Sequence, residues 1–260
     1  MPDVNSTNVN EPRFAFFDLD HTIIPHDTQL LFCNYVLDHE GWRRLFQLPF
    51  FLCIPLAACR VLGARAMKRI FLGYLWGMKK ERLAELAEKF ANEEFPKQAY
   101  PTIVDEIRRH KNEGRVTVLN TASPQIYAEP IARWLGFDHC YATRVEIPQR
   151  MRLRANILGP NNKRSAKIDA MADILPAGIT GENRQAVAGS VAYTDSVNDT
   201  PLLDIAEIGY VVNPSTSFEV IRATRGWHLL TPPTPYHGKW GNYWAMVRQL
   251  LGVFPVASRQ

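Results

Sequence analysis

The chain has 260 residues, 46% of them hydrophobic and 22% charged. That length fits one large domain or two small ones, and that usage excludes a disordered chain, a collagen-like fibre or a single long coiled coil. Thirty Lys and Arg against 26 Asp and Glu leave a net charge of +4, far below the density of a dedicated nucleic-acid binder.

Residues 1–12 are expected to form a loose tail. Met1–Glu11 is polar and has no apolar core, so it does not read as a secretory signal. Arg13-Phe14-Ala15-Phe16-Phe17 is an apolar run that stops abruptly at Asp18-Leu19-Asp20-His21-Thr22, as a buried strand feeding a polar loop does. About ninety residues then pass without a convincing strand. Glu81–Phe95 in particular places Leu83, Leu86, Ala87 and Phe90 at helical spacing. A second apolar run, Val116–Asn120, ends in Thr121-Ala122-Ser123-Pro124. Tyr141–Ile147 and Met151–Leu158 alternate in part around Pro148-Gln149-Arg150 and read as a β-hairpin. A third run, Ser190–Thr194, ends in Asp195-Ser196-Val197-Asn198-Asp199, and a fourth, Gly209–Val212, ends in Asn213-Pro214-Ser215.

Helical spacing in Pro101–His110 and Ala166–Leu175 alternates with these runs, which indicates an α/β fold with a parallel sheet. Ligands of such sheets sit beyond the carboxyl ends of the strands, where every polar cluster named above falls. The expected organisation is a discontinuous catalytic core over residues 13–27 and 104–260, with residues 28–103 inserted as a helical cap. Gly63 and Gly77 read as hinges or helix ends. The four cysteines, Cys33, Cys53, Cys59 and Cys140, form no C-x-x-C pair and read as reduced thiols of a cytoplasmic protein.

Two carboxylates one residue apart at a strand end repel each other, and a divalent cation relieves that repulsion. Asp18, Asp20 and Asp195 offer an all-oxygen set of the kind Mg²⁺ takes. Asp18 can alternatively attack a phosphoryl group as a nucleophile, with Asp20 as acid and then base. Thr121 and the backbone N–H of Ala122 can hold phosphate oxygens, a lysine can neutralise the transferring charge, and Asp199 can orient that lysine. Taken singly, each has a plainer reading. A D-x-D after a strand occurs in many loops, and Asp195 or Asp199 can simply cap a helix.

Taken together, these residues carry a resemblance. Asp18-Leu19-Asp20-His21-Thr22 resembles the D-x-D-x-T first motif of the haloacid dehalogenase superfamily of phosphatases. Leu119-Asn120-Thr121 resembles its second motif, and Asp195-Ser196-Val197-Asn198-Asp199 its fourth. The third motif is a lysine at a helix start. Lys167, just before Ile168, Met171, Ala172 and Leu175, is preferred over Lys163. The resemblance implies a Rossmann-like core with a C1-type cap, as in the subgroup that includes phosphoserine phosphatase. It also implies Mg²⁺ and an aspartyl-phosphate intermediate. Asp18, Asp20 and Asp195 would be the metal residues, and Thr121, Ala122, Ser123 and Lys167 would bind phosphate. Phe16-Phe17-Asp18-Leu19-Asp20, Thr121–Gln125 and Asp199–Leu203 look closest to the phosphatidylglycerophosphatase C branch. His21 in place of Gly is also seen in histidinol-phosphate-type groups. In the phosphoserine branch an acidic residue at the place of Asp27 contacts the substrate amine. Here Asp27 is expected either to contact substrate or to cap the helix after it. His21 and His26 read as loop residues.

Substrate choice is expected to lie in the cap. Gly41–Lys80 contains eight basic residues and no acidic one, interleaved with Trp42, Phe46, Phe50, Phe51, Phe71, Tyr74 and Trp76. Pro49, Pro55 and Arg60 make Leu45–Leu62 a poor membrane span. A packed cap with a basic face competes with an element lying in the interface of an anionic membrane, and the latter is preferred. It suits a phosphatase acting on a lipid phosphate and attached peripherally to the inner face of the cytoplasmic membrane. A small-metabolite phosphatase for phosphoserine or histidinol phosphate is the alternative. A non-enzymatic metal- or membrane-binding module on the same fold is the third reading. Lys239–Trp244 adds aromatics that are expected to pack against the core.

Overall fold

The computed structural model describes residues 12–236 and 238–256; the expectation of a loose tail over residues 1–12 falls almost wholly outside them. Six strands form one sheet: β1 (Phe14–Phe17), β2 (Val116–Pro124), β3 (His139–Thr143), β4 (Val187–Thr194), β5 (Ala206–Val212) and β6 (His228–Leu230). Their order is β3-β2-β1-β4-β5-β6 and every pairing is parallel. β1 is apolar throughout because both of its faces are covered, as parallel sheets require. Phe14 and Phe16 enter one core cluster while Ala15 and Phe17 enter the other, following the two-residue alternation of a strand. On the second face Phe17 stacks on Tyr193 at 4.4 Å, and Tyr193 stacks on Tyr210 at 4.6 Å. These rings tie β1, β4 and β5 together at the height of the functional strand ends.

Between β1 and β2 the chain is helical: α1 (Thr28–His39), α2 (Leu48–Ala58), α3 (Ala64–Phe71), α4 (Lys80–Lys89), α5 (Phe95–Gln98) and α6 (Pro101–Asn112). A five-residue π-turn, Phe90–Glu94, joins α4 to α5. Gly63 caps the start of α3, and Gly77 takes φ +71° in the turn before α4, so both glycines mark helix boundaries. After β2 come α7 (Gln125–Leu135), α8 (Ala166–Asp169), α9 (Thr200–Asp204), α10 (Thr216–Arg225) and α11 (Gly238–Leu250).

The hairpin expectation needs correction. His139–Thr143 joins the main sheet beside β2, with Val118 opposite His139 and Asn120 opposite Tyr141. Only Arg144–Glu146 meets residues 156–158 in antiparallel fashion, through Glu146 N–H to Asn156 O (2.8 Å) and Leu158 N–H to Arg144 O (2.9 Å). An edge strand is half-covered and keeps a mixed pattern, which is why β3 looks like a hairpin arm in sequence. The rest of that loop clasps the helical segment, with Met151 N–H on Met78 O at 2.9 Å and Gly77 N–H on Met151 O at 2.8 Å.

Candidate active site

The strand order reverses at β1, so β2 and β4 flank it and a crevice opens beyond their carboxyl ends. Asp18 follows β1 directly and its N–H donates to Tyr193 O on β4 (3.0 Å). Lys167, from α8, is 1% exposed. Its Nζ donates to Asp18 Oδ1 at 2.6 Å and to Asp199 Oδ2 at 2.7 Å. Lys163 is exposed and lines a cavity that Lys167 does not, and Lys167 is the lysine joined to the first and fourth motifs. α8 is anchored under β2, where Asn120 Nδ2 donates to Lys167 O at 2.8 Å.

Burial is the largest influence on Asp18. With Asp199 and Asp20 it pushes the carboxyl up to about 7, against the pull of Lys167. Burial, then Asp18, holds Asp195 well above the usual carboxylate range. Burial also opposes the charge on Lys167, yet Asp18 and Asp199 hold its pKa above the ordinary lysine value. The Thr22 hydroxyl joins the remaining oxygens. It lies 3.5 Å from both Asp18 Oδ2 and Asp195 Oδ1, and accepts the Asp195 N–H at 3.0 Å.

Asp20 lies near enough to Asp18 and Asp195 to raise both carboxyls, and donors from two other elements hold its own carboxylate. Thr28 N–H donates to its Oδ1 at 2.7 Å, the Thr28 hydroxyl also reaches Oδ1, and Ser123 Oγ donates to Oδ2 at 2.7 Å. Tyr127 OH donates to Ser123 Oγ (3.2 Å), fixing the serine from α7. The Thr121 hydroxyl accepts the Ser123 N–H at 3.0 Å, so the second-motif loop is wound tightly around the strand end. Asn162 braces the same loop with Nδ2 on Asn120 Oδ1 and Thr121 O, at 2.8 and 2.9 Å.

The donor set bears on metal binding. Among the described residues no three His, Cys, Asp or Glu side chains gather closely enough to hold an ion. Of the expected Asp18, Asp20 and Asp195, the first and last both face the Thr22 hydroxyl, while the Asp20 carboxylate accepts from Thr28 and Ser123. Two carboxylates completed by water and substrate phosphate are what Mg²⁺ ordinarily takes. Asp18, Asp195 and Asp199 around the single Lys167 also leave negative charge that a dication offsets. The residues fit such an ion.

Beside Asp20 lies a cavity of 330 Å³, walled by Asp27 and Leu30 of the α1 start, Phe50 of α2, Met67, Lys68 and Phe71 of α3, and Ala122, Ser123 and Lys163. Asp27 caps α1, its Oδ1 accepting the N–H of Gln29 (2.8 Å) and Leu30 (3.1 Å). Burial, then Asp20, pushes its carboxyl up to about 6. Lys68 spans from the helical segment to the second-motif loop, its Nζ on Ala122 O at 2.7 Å and Asn161 Oδ1 at 2.9 Å. Burial pulls its pKa down to about 8. His21, at φ +57°, contacts Pro25 O through Nδ1, and His26 is buried against Phe254. Sequence reasoning missed Thr28, Lys68, Tyr127 and Asn162, and gave Thr22 no role of its own. The available signal was polarity: each is a hydrogen-bonding side chain next to a motif or on a helix facing it.

A parallel sheet in this order, with carboxylates at the ends of β1 and β4 and a buried lysine between them, defines a hydrolase of one superfamily. The chain belongs to the haloacid dehalogenase-like hydrolases, whose family model matches residues 15–204, and it is a phosphatase of that superfamily. It is 25% identical over 230 residues to a histidinol-phosphatase of Neisseria meningitidis serogroup C (strain 8013), covering 84% of this chain and 98% of the relative. Phosphoserine phosphatase SerB1 of Mycobacterium tuberculosis is 25% identical over 224 residues, 83% of this chain and 69% of that one. Among solved structures, a protein of unknown function from Bordetella pertussis Tohama I superposes with a TM-score of 0.70 at 29% identity, covering 85% of this chain and 99% of that one. A phosphoserine phosphatase captured as a phospho-aspartyl intermediate analogue shares the fold, with a TM-score of 0.52 at 17% identity over 86% of this chain and 95% of its own.

Proposed function

We propose that the chain hydrolyses a small phosphomonoester bearing an ammonium group, through a phosphoryl group carried on Asp18. The observation that carries this reading is the closed arrangement of Lys167, Asp18 and Asp199 next to a 330 Å³ cavity walled by Asp27. Asp18 forms a bond to phosphorus through one carboxylate oxygen while the ester P–O bond breaks, and Asp20 gives its proton to the departing alkoxide. Water then attacks phosphorus, Asp20 takes its proton, and the Asp18–phosphorus bond breaks to release inorganic phosphate. Thr28 and Ser123 hold Asp20 in place for both transfers. Lys167 offsets the charge of the transferring group and Asp199 fixes Lys167. Thr121 and the Ala122 and Ser123 backbone shape the phosphate cradle. Asp18 and Asp195 would hold Mg²⁺, which supplies charge neutralisation at the phosphoryl oxygens.

Residues 28–103 act as the cap, since α2 and α3 supply the cavity wall opposite the strand ends. Asp27 keeps one carboxylate oxygen outside its capping bonds, suited to an ammonium. The names of the Neisseria and Mycobacterium relatives accord with such a substrate. A second reading, a lipid phosphate such as phosphatidylglycerophosphate, is favoured by the apolar Leu30, Phe50, Met67 and Phe71 in the same wall. The test is phosphate release from histidinol phosphate, phosphoserine and phosphatidylglycerophosphate in mixed micelles, each with Mg²⁺ and with chelator. Chelator-sensitive preference for an aminated metabolite is expected. Preference for the lipid replaces the substrate assignment, and turnover that survives chelation removes the metal.

A further inference from the structure

α2, LPFFLCIPLAA, is apolar along its whole length, yet none of its eleven residues is buried. An all-apolar helix ordinarily lies inside a protein or a membrane. Leu48, Leu52 and Leu56 are 59%, 67% and 46% exposed, and Leu45 just before the helix is 75% exposed. The surface continues into the C-terminal segment. Gln47 Nε2 donates to Leu250 O at 2.7 Å and Arg44 to Gly252 O at 2.8 Å, which ties the segment carrying the exposed Leu251 and Val253 to the residues just before α2. On α11, Trp240, Tyr243 and Trp244 are exposed as well, contrary to the expectation that they pack against the core.

Charge separates these segments from the rest of the chain. Residues 41–80 hold eight Lys and Arg, residues 220–260 hold five, and neither contains an Asp or Glu. The other 179 residues hold 17 basic and 26 acidic side chains, so these two segments carry a positive excess and the rest of the chain a negative one, although Arg43 is buried against Glu40 and Lys68 is bonded to Ala122 and Asn161. Apolar side chains that enter a headgroup layer, flanked by Lys and Arg that meet anionic lipid, are the chemistry of interfacial docking. A nucleic acid would use the charge and leave the leucines in water. Among the described residues no helix is long and apolar enough to cross a membrane.

We propose that α2, with the adjoining Leu251–Val253 turn, docks the protein on an anionic lipid bilayer surface. Phe50 of α2 is also a wall of the cavity, so docking sets the cavity beside the lipid interface. The proposal stands whichever phosphomonoester is hydrolysed, because it concerns residues outside the strand-end site.

The experiment is flotation of the purified chain with phosphatidylcholine vesicles and with vesicles that also contain phosphatidylglycerol. The wild type is expected to float with the anionic vesicles alone and to be released as salt rises. L45E/L52E is expected to lower the partition at least about tenfold, because two exposed leucines no longer enter the interface. Its turnover of p-nitrophenyl phosphate should remain, which reports an intact fold. R60E/K79E removes charge without touching an apolar side chain and is expected to weaken flotation in the same direction. Failure of the wild type to float, or equal flotation on both vesicle types, overturns the proposal. A dimer in light scattering that L45E/L52E splits also overturns it, since the surface then belongs to a second copy.

Discussion

The strand-end site and the α2 surface are built on opposite principles. At the strand ends the charged groups are partnered: Lys167 lies buried between Asp18 and Asp199, and the half-buried Asp20 lies among Thr28 and Ser123. On α2, apolar groups stand in water with no buried residue among them. Burying charge costs free energy unless hydrogen bonds and counter-charges offset it, so the first region is held to one geometry. The exposed leucines gain little from packing against the described residues, and an exposed apolar patch of this kind marks an interaction surface. The proposals above place chemistry in the first region, and recognition in the helical segment and its outer face.

Substitutions separate the two. Asp18→Asn is expected to lower kcat roughly 10⁶-fold, the scale on which loss of a covalent nucleophile is felt, while circular dichroism stays unchanged. Lys167→Ala leaves Asp18 and Asp199 buried without their cation. Turnover should fall about 10³-fold, and denaturant unfolding should show a loss of about 3–5 kcal/mol. Asp27→Asn is expected to reduce kcat/KM for an aminated substrate about ten- to a hundredfold at neutral pH. The wild-type value should itself fall as pH drops below about 6, because Asp27 takes up a proton there and loses its charge. In Asp27→Asn the further fall near pH 6 should be absent, leaving only the limb set by protonation of Asp18 near 7. Ser123→Ala removes one donor to Asp20 and should cost about tenfold in kcat. Lys163→Ala, at the exposed rim, should change KM about two- to threefold with kcat intact. A larger effect on kcat there than in Lys167→Ala would reverse the roles given to the two lysines.

The sheet and its strand-end clusters were legible because buried parallel strands are apolar runs, and each stops where polar chemistry begins. β3 and β6 escaped: β3 is an edge strand of mixed pattern, and β6 has only three residues. Lys167 could be preferred over Lys163 from the helix it opens, and its Nζ is the one that meets Asp18 and Asp199. The part played by Asp20 was less legible. Its spacing from Asp18 suggests two carboxylates sharing one ion, but Thr28 lies eight residues on and Ser123 over a hundred, and only the fold brings them to it. Lys68 was visible only as part of a basic stretch, because its reach to Ala122 depends on how α3 lies over the second-motif loop.

The central claim is that Asp18 carries the phosphoryl group, and acid-quenched turnover followed by peptide mass spectrometry tests it most directly. The account predicts a hydroxylamine-labile phosphoryl group on the peptide containing Asp18, absent from Asp18→Asn. Phosphate release at full rate with no phosphoryl group on that peptide, or with one on a different residue, would contradict it.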